Sequence, residues 1–206
     1  MSKYPKTLGR IEAVWNKLGG EDGVDRFLRD ELSVSEPSCS WREKDGVIYF
    51  PPLVSDGTTG PLWIPRLEKQ GFLIGDYTKQ VLRSPDFKPT NGVTEIAVLK
   101  GMLFEDNDRS TKKIRAEADK RKLEKPNAEL SCLIREKFTD KDIEAMGLWY
   151  IVAMHEPIND SDGDPILLSV LRCDDGRWLS ACSGGPDYGW NRGGGFAFAV
   201  SQVSSH

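Results

Sequence analysis

The chain has 206 residues, 38% hydrophobic and 29% charged, with a formal net charge of -4 and a pI near 5.4. That length can bury a substantial core, as one large domain or two small ones, and the acidic balance argues against nucleic acid, whose phosphates ask for a basic surface. No run approaches the roughly eighteen apolar residues of a membrane span. No apolar segment follows the basic start Met1-Ser-Lys-Tyr-Pro-Lys-Thr7, so no secretory signal or membrane contact is expected and the chain reads as cytoplasmic.

Ile11, Val14, Trp15 and Leu18 fall at helical spacing, as do Val24, Phe27, Leu28 and Leu32, with Gly19-Gly20 as a break between them. Two short helices about a glycine turn could be a DNA reader. The second pattern carries Asp22, Asp25, Asp30 and Glu31 against Arg26 and Arg29, so it lacks the basic face such a reader needs. Val47-Ile-Tyr-Phe50 predicts a strand ended by Pro51-Pro52. Ser55-Asp-Gly-Thr-Thr-Gly60 predicts a turn, and no lysine follows it as a phosphate-binding loop would require. Trp63, Ile64 and Leu67, then Tyr77, Val81 and Leu82, predict two helical pieces. The prolines of Ser84-Pro-Asp-Phe-Lys-Pro89 mark a division, giving a mainly helical region 1–90 with a short strand and a domain 91–206.

In the second part Val93–Leu99 predicts a strand. Thr111–Lys125, with seven basic and three acidic residues, reads as a solvated helix face, since no aromatics accompany the charges. Leu130, Leu133, Ile134 and Phe138 form an apolar stripe. Thr139-Asp-Lys-Asp142 fits a capping-box start for a further helix ended by Gly147. Leu148-Trp-Tyr-Ile-Val-Ala-Met154 is a continuous apolar run and predicts a buried strand. Ile166–Leu171, Arg177–Ala181 and Phe196–Val200 predict more strands, read as an antiparallel set. Helices followed by strands, not interleaved with them, predict an α+β fold.

Four cysteines, Cys39, Cys132, Cys173 and Cys182, have no CxxC pairing, and the histidines are His155 and His206. Neither a zinc site nor a disulfide framework is expected, and no cofactor. Asp160, Asp162 and Asp164 match the first ligand positions of a calcium loop. Pro165 stands where the turn glycine belongs, and Leu171 where the closing glutamate does, which leaves an acidic hairpin turn as the alternative. His155-Glu156 is the one internal histidine beside a carboxylate, but no nucleophile lies at motif spacing.

The stretch Ser180-Ala-Cys-Ser-Gly-Gly-Pro-Asp-Tyr-Gly-Trp-Asn-Arg-Gly-Gly-Gly195 obeys neither period and predicts a long surface loop held between strands. Rigid aromatics (Tyr188, Trp190) among Ser, Asn, Asp and Gly are the palette of adaptable binding surfaces. This order of elements, from the 93–99 strand through the helices and the Trp149 strand to Arg177-Trp178, the polar loop and Gly195-Phe196, resembles the C-type lectin fold. It is similar in particular to the variable proteins of diversity-generating retroelements. The likeness covers roughly residues 92–203. Ala197 replaces the basic residue usual after the Gly-Phe closure, and Asp175-Gly-Arg-Trp178 stands in place of the family's Gly-Gly-Ser-Trp entry. The resemblance implies a C-type-lectin-like domain with short antiparallel strands and a variable region at 178–195. It implies a non-enzymatic role, binding an unknown protein or other macromolecular ligand through Ser180, Cys182, Ser183, Gly184, Gly185, Asp187, Tyr188, Gly189, Trp190, Asn191, Gly193 and Gly194. The alternatives left open are a small enzyme using His155 and Glu156, and a structural protein with no ligand at the loop.

Overall fold

A computed structural model describes residues 11, 14–16, 18–29, 31, 41–173 and 176–201. Asp30, Leu32, Cys39, Asp175 and His206, with the first ten residues, lie outside that set. The chain divides into two compact units, Met1–Cys39 and Ser40–His206. In the first, helix α1 (Glu21–Leu28) follows a break at Gly19 and Gly20, both with positive φ (90° and 81°), which is where the Gly-Gly turn was expected. Ile11, Val14, Trp15, Phe27 and Leu28 are all exposed.

The second unit is a mixed α+β body on one large sheet, ten-stranded among the described residues. Its strands are β1 (Arg42–Lys44), β2 (Val47–Asp56), β3 (Leu73–Ile74), β4 (Asn91–Lys100), β5 (Leu123–Glu124), β6 (Tyr150–Ala153), β7 (Ile158–Asn159), β8 (Pro165–Cys173), β9 (Gly176–Ser183) and β10 (Gly194–Val200). Their order is β1-β2-β4-β10-β6-β8-β9-β3, with β5 on β10 and β7 on β8. The division expected near residue 90 falls inside this sheet: β2 pairs with β4 from Val47↔Leu99 to Asp56↔Asn91, and β3 pairs with β9. A boundary there would cut backbone hydrogen bonds. The strands are also not all antiparallel, because β10 runs parallel to β6 and β3 parallel to β9.

Pro51-Pro52 do not end β2. The register shifts between Phe50 and Leu53, so the prolines, which have no N–H to donate, sit in a bulge while the strand continues.

Alternation along the strands separates two cores. On the first face Ile48, Ile96, Val98, Ile151, Leu168, Val170 and Leu179 pack under α2 (Gly60–Lys69), α3 (Asp76–Arg83), α5 (Glu129–Lys137) and α6 (Asp140–Ala145). The predicted capping box of α6 is formed: the Thr139 hydroxyl accepts from the Asp142 N–H at 3.3 Å, and the Asp142 carboxylate accepts from the Thr139 N–H at 2.7 Å. Glu129 is fully buried on this side. Its carboxylate accepts from Ser55 Oγ (2.8 Å), Trp63 Nε1 (3.2 Å) and the Thr90 N–H (3.0 Å), so β2, α2 and the turn before β4 are tied to α5. On the second face Val47, Ala97, Leu99, Val152, Leu167, Phe196 and Phe198 are covered by Ile114 and Ala118 of α4 (Thr111–Lys120) and by Trp190.

Candidate functional site

On the second face, strands β6, β8 and β9 set side chains in cross-strand rows. Tyr150 is opposite Leu171 and Leu171 opposite Trp178; Ser169 is opposite Ser180, and Leu167 opposite Cys182. The connection 184–193 folds back over these rows and leaves a pocket of about 180 Å³, with Tyr150, Ser169, Leu171, Ser180 and Cys182 on the sheet side and Tyr188 to Asn191 as the wall.

The backbone of that connection is held along its length. The Tyr188 N–H donates to the Gly185 carbonyl (3.1 Å), closing a turn. The first N–H groups of α4, orphaned at any helix start, donate outward: Thr111 to the Tyr188 carbonyl (3.1 Å) and Lys112 to the Pro186 carbonyl (2.9 Å). The Trp190 N–H donates to the Arg109 carbonyl (2.8 Å), and Arg109 Nη1 returns to the Trp190 carbonyl (3.2 Å). The Asn191 N–H donates to the Tyr150 hydroxyl (3.0 Å), and the Trp149 N–H to the Gly193 carbonyl (2.9 Å). Rings fill the space beneath. Trp190 lies 4.7 Å from Tyr188, 5.7 Å from Phe196 and 6.2 Å from Tyr150 between centroids, distances at which aromatic pairs attract.

The twelve residues expected at the surface separate accordingly. Ser180, Cys182 and Ser183 are not in a loop; β9 runs on through Ser183, and Gly194 opens β10. The pocket gathers Ser180, Cys182, Tyr188, Gly189, Trp190 and Asn191. Ser183, Gly184, Gly185, Asp187, Gly193 and Gly194 do not line it. Trp190, expected as an exposed anchor, is 8% exposed, and its Nε1–H donates to the buried Thr111 Oγ1 at 3.0 Å. It is a peg that holds the connection to the core. Trp149, expected inside a buried strand, is instead 60% exposed. It stands beside the connection with the Arg172 guanidinium 4.6 Å over its ring, and Arg172 is paired to Glu144 at 2.8 Å.

The glycines differ in the same way. A side chain at Gly194 would place its Cβ 2.5 Å from the Tyr150 ring, and one at Gly193 2.7 Å from Trp149. At Gly184 the Leu167 and Pro157 side chains stand at 3.0 and 3.3 Å. At Gly189 nothing lies within 4 Å, and at Gly185 only Ser183 Oγ at 3.6 Å. A side chain at Gly195 would place its Cβ 2.7 Å from Val98 and 2.8 Å from Leu148, a packing reason for glycine there.

Burial acts on two ionisable groups of the pocket, Cys182 and Tyr150. Burial pushes the Cys182 thiol up to about 12, with Ser169 drawing it back, and the thiol donates to the Leu167 carbonyl at 3.3 Å. A thiol so placed is a weak nucleophile at neutral pH. Burial also raises the Tyr150 hydroxyl, against the backbone hydrogen bond to Asn191.

His155 is 1% exposed, and burial holds its pKa down at about 4. Nδ1 lies 2.7 Å from the Glu156 carbonyl, and Nε2 is 3.0 Å from the Leu168 N–H. The network assigns the proton to Nδ1 and makes Nε2 an acceptor. Neither ring nitrogen is left for a proton relay, and the Glu156 carboxylate instead pairs with Lys125 at 2.5 Å. Asp160 Oδ1 accepts from the Asp162 and Asp164 N–H groups, both at 2.9 Å, in the turn between β7 and β8. Among the described residues no group of three His, Cys, Asp or Glu side chains is placed to hold a metal ion, and no helix is long and apolar enough to cross a membrane.

A wider cleft of about 850 Å³ opens at the far end of β4, lined by residues such as Thr90, Asn91, Ile96, Asn127, Leu130 and Val200. Its lining mixes aliphatic side chains with the polar Thr90, Asn91, Thr94 and Asn127 and one acid and one base, Glu124 and Lys125; Asn127 is bonded to Thr90 at 2.8 Å and Lys125 to Glu156 at 2.5 Å.

Residues 150, 169 and 171 were not foreseen as part of a site. Their signal is the alternation in β8, where Leu167, Ser169 and Leu171 share one face, read together with Ser180 and Cys182 in β9. A family-model scan, a search of curated proteins and a search of solved structures each returned no match.

Proposed function

We propose that this chain is a non-enzymatic recognition protein that captures a protein partner on the surface built by the end of β9 and the connection 184–193, on a C-type-lectin-like scaffold. The observation that carries this reading is a connection whose backbone is hydrogen-bonded to α4, Tyr150 and Trp149 while the side chains of Asp187, Tyr188 and Asn191 face outward. Such preorganisation lowers the ordering cost of binding, and it lets outward side chains change without refolding the frame. The antiparallel pairing of β4 with β10, from Gly195↔Lys100 to Ala199↔Ile96, supports the scaffold reading, since the 91–200 segment closes on itself. The surface then comprises Ser180, Ser183, Gly185, Asp187, Tyr188, Gly189 and Asn191, with Trp149 as an added aromatic. Cys182 lies in the pocket floor, and Trp190, Gly184, Gly193 and Gly194 serve as frame. As a variable protein of a diversity-generating retroelement, the chain would be encoded near a copy of codons 178–196 altered at adenines.

A displayed library tests the reading. Randomising Ser180, Ser183, Asp187, Tyr188, Gly189 and Asn191 together should leave most members folded and yield binders to unrelated purified protein baits. Loss of folded display in most members, or no binder to any bait, would reject it.

A further inference from the structure

The pocket beside Tyr188 has a chemistry of its own. No Asp, Glu, Lys, Arg or His is among the residues that line it: Tyr150, Ser169, Leu171, Ser180, Cys182 and Tyr188 bring hydroxyl, thiol or aliphatic groups. Two of the positive charges nearby are already engaged, and a third, Arg192, is exposed beside Asn191. Lys112 holds Asp187 at 2.5 Å on the outer flank, and Arg109 holds the Trp190 carbonyl and Asp106 beneath. Three neutral polar groups are not engaged: Ser180 Oγ, the Tyr188 hydroxyl and the Asn191 amide make no side-chain hydrogen bond among the described residues. A volume of about 180 Å³ is below the roughly 300 Å³ at which small-molecule pockets begin, and suits one side chain.

We propose that this pocket is a socket for a single uncharged side chain of the partner protein, one with an apolar body and a hydroxyl or amide tip. Aromatic walls bury the body, while Ser180, Tyr188 and Asn191 meet the tip. A carboxylate, ammonium or guanidinium entering it would leave water without a counter-charge, so the socket discriminates against Asp, Glu, Lys and Arg. This rests on the recognition reading above and adds the class of residue recognised.

The experiment pans a phage-displayed random 12-mer peptide library on the immobilised full chain, then measures enriched peptides against Tyr188→Ala, Ser180→Ala and Ser180→Asp, with a melting curve for each variant. The expected result is peptides that depend on one Asn, Gln, Ser, Thr or Tyr. Replacing that residue by Asp or Lys weakens binding at least about tenfold, since a site built for a neutral polar group rejects a mismatched one. Ser180→Asp weakens the same peptides by a similar factor and shifts a fresh selection toward Lys and Arg; Ser180→Ala, the gentler change, weakens them less. Peptides that bind through the Tyr188 surface by an acidic or basic residue would overturn the socket and leave the recognition reading standing. Enriched peptides indifferent to all three variants, or no enrichment at all, would overturn both.

Discussion

Strands β8 and β9 face two different environments with alternate residues. Leu168, Val170 and Leu179 enter the first core beneath the helices. Ser169 and Ser180, their immediate neighbours, and Cys182, next to Ala181, face the pocket on the other side. Under α2, α3, α5 and α6 these strands present aliphatic side chains, as a buried layer requires. The opposite face is covered beside this row by the connection 184–193, with Trp190 packed into its core, and small polar groups remain on the strands beneath it. One pair of strands thus carries both the packing that fixes the fold and the polar floor of the site, so the site inherits the rigidity of the core one residue away.

Trp190 marks the limit of that contrast, because there the second face is packed as tightly as the first. Trp190→Ala removes a buried ring and leaves Thr111 Oγ1 without its donor, and should cost about 3–5 kcal/mol in urea unfolding. Tyr188, which is 42% exposed, should cost no more than about 1 kcal/mol on the same change. Equal losses at the two positions would mean that Tyr188, too, belongs to the frame.

His155 links the strands from within, accepting from the Leu168 N–H, and it makes the packing pH-dependent. Its folded pKa of about 4 lies below the ordinary histidine value of 6.5, so the unfolded chain takes up the proton first. The stability from neutral His155 is therefore complete above pH 6.5 and is lost as the pH falls toward 4. The gap between those two values corresponds to about 3 kcal/mol. Arg115, whose guanidinium donates to the His155 carbonyl at 2.6 Å, and Glu156 are the charged neighbours. Unfolding free energies between pH 7 and 4 should fall more steeply in the natural chain than in His155→Gln; parallel slopes would exclude this role.

Legibility in the sequence follows the range of the forces involved. The α6 capping box at Thr139, the strands at 93–99 and 166–171, and the stripe of α5 are set by residues within a turn or two of each other, and each stands where its pattern placed it. Pairing was not legible. That β10 would lie parallel to β6 depends on the path taken between them, and nothing in the period of Gly194–Val200 encodes its neighbour. The two tryptophans exchanged roles for the same reason. Trp149 sits in an apolar run and Trp190 in a polar one, yet burial was decided by Thr111, Phe196 and Tyr150 converging on Trp190 from distant segments. Of the expected site residues, Tyr188, Gly189, Trp190 and Asn191 line the pocket from the connection, whose composition reports where the chain leaves the sheet, while Ser180 and Cys182 line it from inside β9, which the polar composition hides. Composition does not report which glycines are there for want of space.

That last distinction makes the finest test of the contrast between frame and surface. Gly194 and Gly189 are five positions apart, and neither has a positive φ, so alanine strains neither backbone. Only the surroundings differ: the added methyl meets the Tyr150 ring at 2.5 Å in one case and open space in the other. Tyr150 cannot swing aside freely, since its hydroxyl accepts from the Asn191 N–H and its ring packs beside Trp190. Gly194→Ala should therefore destabilise by about 1–3 kcal/mol, the usual cost of overpacking. Gly189→Ala should stay within about 0.5 kcal/mol of the natural chain. Thermal melting of the two variants decides it. A harmless Gly194→Ala would mean that Tyr150 moves, and that the pocket floor is softer than its hydrogen bonds imply.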